Sequence, residues 1–396
     1  MMSCPVLPDE LLEEILTRVP VKDLMRFRCV SKWLRFLVFD PAFVKLHLQR
    51  SSKNTHTLLS FTEYVDHDND NYVAVFVNFA APCSINGLLE NPLSTLDSCR
   101  HQLPFDLQVL GVCNGLVCLH DCFTRNGFND FRFGFWNPAT RIIMSGDSSR
   151  IRLRLRIDDY ENPYFYRFGF GYDCWSDTYQ VVFLDNKPQK MEIRVHCLGD
   201  TSWRRNTSTC PSLPILTIEG EYVSGTLNWL ALPKVKSSCL WEKIAINELV
   251  IFSYDLKNET YSYLPMPDCL SEVPSYGPEL VVLNGCLCLS HLDHLDQRNC
   301  FVIWIMTEFG VENSWTQLLN ISCEQLHVYD HIDDYLAILC MSENEDVVLL
   351  ANYDSREFIL CNKRDNRIDR YDNFKEYLNY AQFASHDYVQ SLVLPY

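Results

Sequence analysis

Cys113-Asn114-Gly115-Leu116-Val117-Cys118-Leu119 is the stretch from which the architecture can be read, because the chain repeats it. Asn284-Gly285-Cys286-Leu287-Cys288-Leu289 follows the same pattern, and Ser224-Gly225-Thr226-Leu227-Asn228-Trp229 follows it more loosely. In all three a bulky apolar residue stands two and four places after the glycine, which is the period of a strand with one buried face. A second repeat pairs Arg132-Phe133-Gly134-Phe135 with Arg167-Phe168-Gly169-Phe170. A third is a turn followed by an aromatic residue, at Asp177-Thr178-Tyr179, Thr201-Ser202-Trp203, Glu259-Thr260-Tyr261 and Asn313-Ser314-Trp315. Repeated hairpins with periodic glycine and aromatic residues are the mark of a β-propeller. At roughly 45 residues per blade the chain beyond residue 51 has room for about seven. A pair of β-sandwiches is the alternative.

Working outward, period-2 segments recur from Tyr72–Phe79 through Leu116–His120, Phe131–Trp136, Tyr179–Leu184 and Ile193–Cys197. They continue through Val250–Tyr254, Leu280–Leu289, Phe301–Met306 and Val347–Ala351, with turn residues between them. No long helical pattern intervenes, so parallel βαβ units are not expected. Before residue 50 the period changes. Leu11, Leu12, Ile15, Leu16 and Val19 fall at helical spacing behind Asp9 and Glu10, and Pro20 ends that helix. Further short helices are expected over Lys22–Cys29 and Ser31–Val38, and Asp40-Pro41 is an N-cap followed by proline at the first helical position. The fold class is thus mainly β with a small α-helical N-terminal domain. Residues 1–50 form the helical unit, 51–108 a link with the first strands, and 109–396 the propeller. Helices this short bury little surface alone and are expected to dock on a partner or on the next domain.

Eighteen cysteines are spread through apolar runs of a chain long enough to have a core, which reads as buried free thiols in a reducing compartment. A cytoplasmic or nuclear location follows. No segment is apolar over the length of a membrane span, and no secretory leader is legible at the N-terminus. The net charge of −17 is uneven. Residues 1–50 hold eight Lys/Arg against six Asp/Glu, so the remainder carries −19. An acidic body disfavours nucleic acid and favours encounter with basic proteins.

On both sides of residue 50 these residues resemble a known family. Leu7-Pro8-Asp9-Glu10-Leu11-Leu12, Val19-Pro20-Val21-Lys22-Asp23-Leu24, Arg26-Phe27-Arg28-Cys29-Val30-Ser31-Lys32 and Asp40-Pro41-Ala42-Phe43 look like a plant-type F-box. Cys113–Cys118, Trp136-Asn137-Pro138-Ala139-Thr140-Arg141, Phe168-Gly169-Phe170-Gly171-Tyr172-Asp173, Gly225–Leu230 and Glu308-Phe309-Gly310-Val311 resemble the F-box-associated domain of plant F-box/kelch proteins, the S-locus F-box group included. One position departs from the family: Trp33 follows Lys32 directly and Leu34 takes the usual tryptophan place, which re-aims the indole by about 100°. The resemblance implies a non-catalytic substrate receptor of a Skp-cullin-F-box ubiquitin ligase. The F-box would bind a Skp-type adaptor, and through it cullin and RING subunits, while the β domain would hold an unknown target protein, for which the acidic body suits a basic one. It points to Leu7, Pro8, Leu11, Leu12, Ile15, Leu16, Pro20, Val21 and Leu24 as adaptor-binding residues. An apolar stripe on short helices is also what helix-in-groove recognition requires.

No cofactor, metal or catalytic site is expected. Cys286, Cys288, His291 and His294 have ligand chemistry without the spacing of a zinc site, and His327 with His331 lacks a third ligand. Nucleotide-binding and nucleophile-elbow motifs are missing, and Gly169-Phe170-Gly171 reads as strand. A propeller glycoside hydrolase is the rival from another class, and a non-ligase scaffold is the third reading. Target contacts are expected in loops on one face of the propeller, with Tyr160, Tyr164, Trp175 and Trp241 as candidates.

Overall fold

The computed structural model describes residues 8–51, 55–66, 74–104, 107–144, 151–156, 166–186, 190–206, 210–211, 213–232, 248–267, 270, 278–295, 298–328, 336–353, 355–371 and 382–395. It opens with four helices, α1 (Asp9–Leu16), α2 (Val21–Phe27), α3 (Lys32–Leu37) and α4 (Pro41–Arg50). Asp40 caps α4 as its sequence suggests, accepting from the backbone N–H groups of Ala42 and Phe43 at 3.0 Å.

Six antiparallel meanders follow. The first holds β1 (His56–Asp66), β2 (Ala74–Ser84) and β3 (His101–Gln102), with two helices, α5 (Ile85–Glu90) and α6 (Pro92–Cys99), inserted before the last. The second holds β4 (Gln108–Cys113), β5 (Leu116–Arg125), β6 (Phe128–Asn137) and β7 (Ile142–Ile143), and β8 (Ile151–Arg156) pairs with β6 further along. The third holds β9 (Arg167–Asp173), β10 (Thr178–Asn186), β11 (Lys190–Cys197) and β12 (Arg204–Arg205), with β13 (Cys210–Pro211) beside β11. The fourth is β14 (Glu219–Val223), β15 (Thr226–Ala231), β16 (Val250–Asp255) and β17 (Thr260–Leu264). The fifth is β18 (Glu279–Leu283), β19 (Cys286–Leu295), β20 (Arg298–Met306) and β21 (Trp315–Ser322). The sixth is β22 (Leu336–Met341), β23 (Val347–Asn352), β24 (Glu357–Asn362) and β25 (Arg367–Tyr371). The last strand, β26 (Gln382–Tyr388), returns to the first meander and pairs with β1 from Gln382 opposite Thr62 to Tyr388 opposite His56.

This is a closed six-bladed propeller, and the ring is closed by the C-terminal strand completing the N-terminal blade. The inner strands β26, β4, β9, β14, β18 and β22 surround the axis. Each pair of neighbouring blades encloses its own apolar core, so the stability of the ring is spread over six interfaces. Neither the count of about seven blades nor the paired-sandwich alternative survives. Inserted helices in the first blade and extra strands in the second and third lengthen each blade beyond a minimal repeat, which lowers the number that fit.

The asparagine–glycine repeats are turns rather than strand interiors. Asn114 and Gly115 have φ of 52° and 78°, and Asn284 and Gly285 have 51° and 76°, the paired positive values of a tight hairpin turn. Leu280–Leu289 is therefore two strands, β18 and β19, folded at Asn284-Gly285. The repeat marks the hairpin from inner to second strand in the second, fourth and fifth blades. The Arg-Phe-Gly-Phe pair, in contrast, is not a structural repeat. Arg132–Phe135 lies in the third strand of one blade and Arg167–Phe170 in the inner strand of the next, and the two pack together. Phe133 meets Phe168 at 5.3 Å and Phe135 meets Phe170 at 5.6 Å between ring centroids. Glycine is required where inner strands β9 and β14 pair directly, Gly169 opposite Gly220, because a Cβ on Gly220 would sit 2.4 Å from the Trp229 ring.

Beyond β26 the chain runs back between propeller and helices. Leu392 is fully buried in the helical core with Leu16, Val21, Leu24, Leu37, Val38 and Phe43. Asn137, from the Trp-Asn-Pro-Ala-Thr segment, holds this tail by donating to the carbonyls of Ser391 at 3.0 Å and Val393 at 2.7 Å. A Cβ at Gly115 would lie 2.3 Å from the Val389 carbonyl, so that turn also fits the tail only as glycine. The helices do dock on the next domain, through the C-terminal tail and through Val44 and Leu48 of α4.

Candidate functional site

The helical unit exposes more apolar surface than its size warrants. Val30 is 80% exposed, Phe36 75%, and Leu11 and Ile15 each 51%, with Phe27 and Leu46 also exposed. Among the described residues the whole remainder of the chain exposes six large apolar side chains. Apolar groups exposed on one short subdomain are what a docking surface requires. Leu11 and Ile15 stand one turn apart on α1, while Leu16 on the same helix points into the core, so α1 divides its apolar residues between inside and outside.

Of the residues proposed for adaptor contact, Pro8, Leu11, Ile15 and Pro20 are exposed and Leu12 is half-buried. Leu16, Val21 and Leu24 are core and present no surface; helical spacing alone cannot separate the two faces when Leu392 arrives from the far end of the chain to cover one of them. Leu7 lies outside the described residues. Trp33 and Leu34 are both half-buried against the helical core, so the core accommodates the re-aimed indole. Val30 and Phe36 are exposed as well, and sequence did not single them out. With Leu37 and Val38 buried, Phe36 must face outward on α3, and that alternation was the available signal.

The propeller has two unlike ends. The β9–β10 turn lies at the helical end, where Lys45 of α4 reaches Asp177 at 3.3 Å. Trp175 sits on that turn, exposed, with the Lys257 ammonium 4.6 Å from its ring centroid. Its loop is fixed by Asp173, which accepts from the N–H groups of Trp175 and Ser176. Tyr160, Tyr164 and Trp241 lie outside the described residues. The strand ends that flank them, Arg156 and Arg167, Ala231 and Val250, lie at the opposite, distal end. Of the four target candidates, Trp175 is the one among the described residues, and its turn lies at the helical end.

Along the axis the first residues of the inner strands enclose a cavity of about 320 Å³ lined by Glu219, Glu221, Glu279, Ile338, Phe383 and His386 among others. A narrow continuation toward the helices is bordered by Gly111, Phe170, Glu221, His386 and Asp387. Burial pushes the carboxyls of Glu219 and Glu279 up to about 8. Glu221 is pushed to about 8 by burial and then by Glu219, Asp387 and Glu279. Burial also raises Asp387 to about 6, opposed by the N–H groups of Gly285 and Asn284 that it accepts. None of these carboxyls was singled out from sequence, since they belong to strands far apart in the chain. Cys286, Cys288 and His291 all lie on β19, the cysteines on one face and His291 on the other, where Trp304 Nε1 donates to its Nε2 at 3.2 Å. The His294 side chain and all of His331 lie outside the described residues.

Comparison with known proteins agrees with this geometry. The family model of the F-box associated beta propeller domain matches residues 75–394, and that of the F-box domain matches residues 5–46. An F-box/kelch-repeat protein of Arabidopsis thaliana is 31% identical over 332 residues, 81% of either chain. The F-box protein CPR1 of Arabidopsis thaliana is 25% identical over 338 residues, 80% of this chain and 73% of that one.

Proposed function

Since the chain belongs to the F-box proteins that carry an F-box associated beta propeller domain, we propose that it is the substrate-recognition subunit of a Skp-cullin-F-box ubiquitin ligase. Its F-box binds a Skp-type adaptor, and its propeller binds a target protein, in the cytoplasm or nucleus where that machinery works. The observation that carries this is the exposure of Leu11, Ile15, Val30 and Phe36 on helices whose own core is already complete. Apolar groups left outside a finished core are available to a partner's groove.

The glycosidase rival required convergent carboxylates in a deep pocket. The bore does hold carboxyls, but Glu219, Glu221 and Glu279 are raised together, whereas that chemistry needs one ionised carboxylate beside one protonated. Asp387 has both oxygens engaged by backbone N–H groups. This favours a receptor over a hydrolase.

Co-expression with a Skp-type adaptor tests the proposal. The wild-type chain is expected to co-purify with the adaptor, and Ile15→Asp/Phe36→Asp to lose it while its circular dichroism is unchanged. A buried aspartate costs several kcal/mol, about the difference between a micromolar complex and none. Capture that survives both substitutions rejects the assigned surface, and a folded wild-type chain that captures nothing rejects the ligase role.

A further inference from the structure

We propose that the distal mouth of the axial bore binds a basic side chain, the guanidinium or ammonium group of an arginine or lysine. Who presents it, the target protein, rests on the receptor reading above. Four carboxyls line this passage, Glu219 and Glu221 on β14, Glu279 on β18 and Asp387 on β26. Among the described residues neither Lys nor Arg lines it. All four are half-buried, and carboxyls drawn this far from water without a cation are costly.

A second observation points the same way. His386 is 7% exposed and borders both parts of the bore, yet its Nε2 has no hydrogen-bond partner among the described residues. A buried imidazole nitrogen left open beside a cavity is explained by a polar group that enters the cavity. Burial holds this histidine neutral, with its pKa lowered to about 4, so it accepts from an N–H donor without adding competing charge.

The arrangement favours an organic cation over a metal ion. No three His, Cys, Asp or Glu side chains among the described residues converge as ligands of one ion. Carboxyls spread over β14, β18 and β26 suit a group that carries several N–H donors on one planar fork. Position matters too. Glu219 and Glu279 open their strands at the end away from the helices, so the mouth faces away from the F-box.

Binding is then linked to pH. The ionisable groups facing the passage come from β14 (Glu219, Glu221 and, deeper, Tyr222), β18 (Glu279) and β26 (His386, Asp387), with Tyr353 near Glu279. β4, β9 and β22 contribute Leu110, Gly111, Val112, Phe170, Ala337 and Ile338, none ionisable. Raised to about 8, the three glutamates hold protons near neutrality. A cation stabilises their ionised forms, so it releases protons on entry and binds more tightly as pH rises.

The experiment titrates the full-length chain with acetyl-Gly-Arg-Gly-amide and with its neutral citrulline counterpart, by calorimetry. The arginine peptide is expected to bind about tenfold tighter than the citrulline peptide, and about tenfold tighter at pH ~8.5 than at pH ~6.5. Glu221→Gln/Glu279→Gln, near-isosteric and relieved of buried acid, is expected to fold and to lose that preference. Equal binding of the two peptides, no detectable binding of either, or a preference that survives the double substitution overturns the proposal. Thermal stabilisation by calcium or magnesium chloride without any arginine preference overturns it in favour of a metal. Adaptor capture is scored on the same samples. Arginine binding by a chain that captures no adaptor would sink the ligase reading and leave the bore's assignment standing.

Discussion

In the helical unit, Leu11, Ile15, Val30 and Phe36 face water while acidic and basic residues nearly balance. In the propeller the large apolar side chains lie between blades, and the unsatisfied chemistry is acidic and internal, along the axis. One region thus offers apolar area and the other offers charge. The contrast follows from size: about forty residues cannot enclose all their apolar groups, whereas six stacked blades can. It also separates two kinds of recognition. Apolar docking gives affinity that is insensitive to salt, and buried charge gives selectivity for the sign of the partner.

The sharpest way to break this contrast is through the tail that joins the regions. Leu392→Ala removes the propeller-side member of the F-box core, where Leu392 is fully buried. A buried leucine truncated to alanine costs about 2–5 kcal/mol. Hydrogen exchange is expected to speed up in α1–α4 while the blades keep their protection. Unchanged exchange in the helices would show that the F-box is held by its own packing and not by the tail.

A smaller effect tests the acidic bore. Glu221 has a folded-state pKa of about 8, above its unfolded value, so the native state keeps a proton that the unfolded chain gives up. Its contribution is least unfavourable at low pH, and stability is lost as pH rises from the ordinary glutamate range through about 8. Glu221→Gln removes that penalty. Its gain over wild type is expected to grow across this range to about 1 kcal/mol, water in the bore screening the rest. Denaturant midpoints measured at several pH values decide it: a gain that is flat with pH means that the carboxyl does not titrate as its surroundings require.

The smallest effect lies where the regions touch in solvent. Lys45 and Asp177 form an ion pair with both side chains more than half exposed. Lys45→Ala is expected to change stability by less than ~0.5 kcal/mol. A larger loss in thermal unfolding would mean that charge, and not Leu392, Val44 and Leu48, fixes the helices to the propeller.

Much of this was legible in residue order. The Asn-Gly and Ser-Gly repeats pointed to the propeller, but the period-2 pattern runs through Asn284-Gly285, and the turn there has to be read from the Asn-Gly pair itself. The helical period located α1 and α2 but not their faces. Leu16, Val21 and Leu24 read as surface until Leu392 is seen against them. The bore was illegible, since Glu219 with Glu221, Glu279 and Asp387 are ordinary acidic residues of three strands far apart in the chain.

The sequence by itself determined what depends on neighbours along the chain. Strand period, turn chemistry, the Asp40 cap and the motifs of the family are all local, because backbone sterics and capping act over a few residues. Tertiary structure alone decided the number of blades, the closure of the ring by Gln382–Tyr388 and the tail that completes the F-box core. It also decided the meeting of distant carboxyls on one axis. These depend on which segments come together when the ring closes, and contact between segments hundreds of residues apart leaves no trace in the residues beside either one.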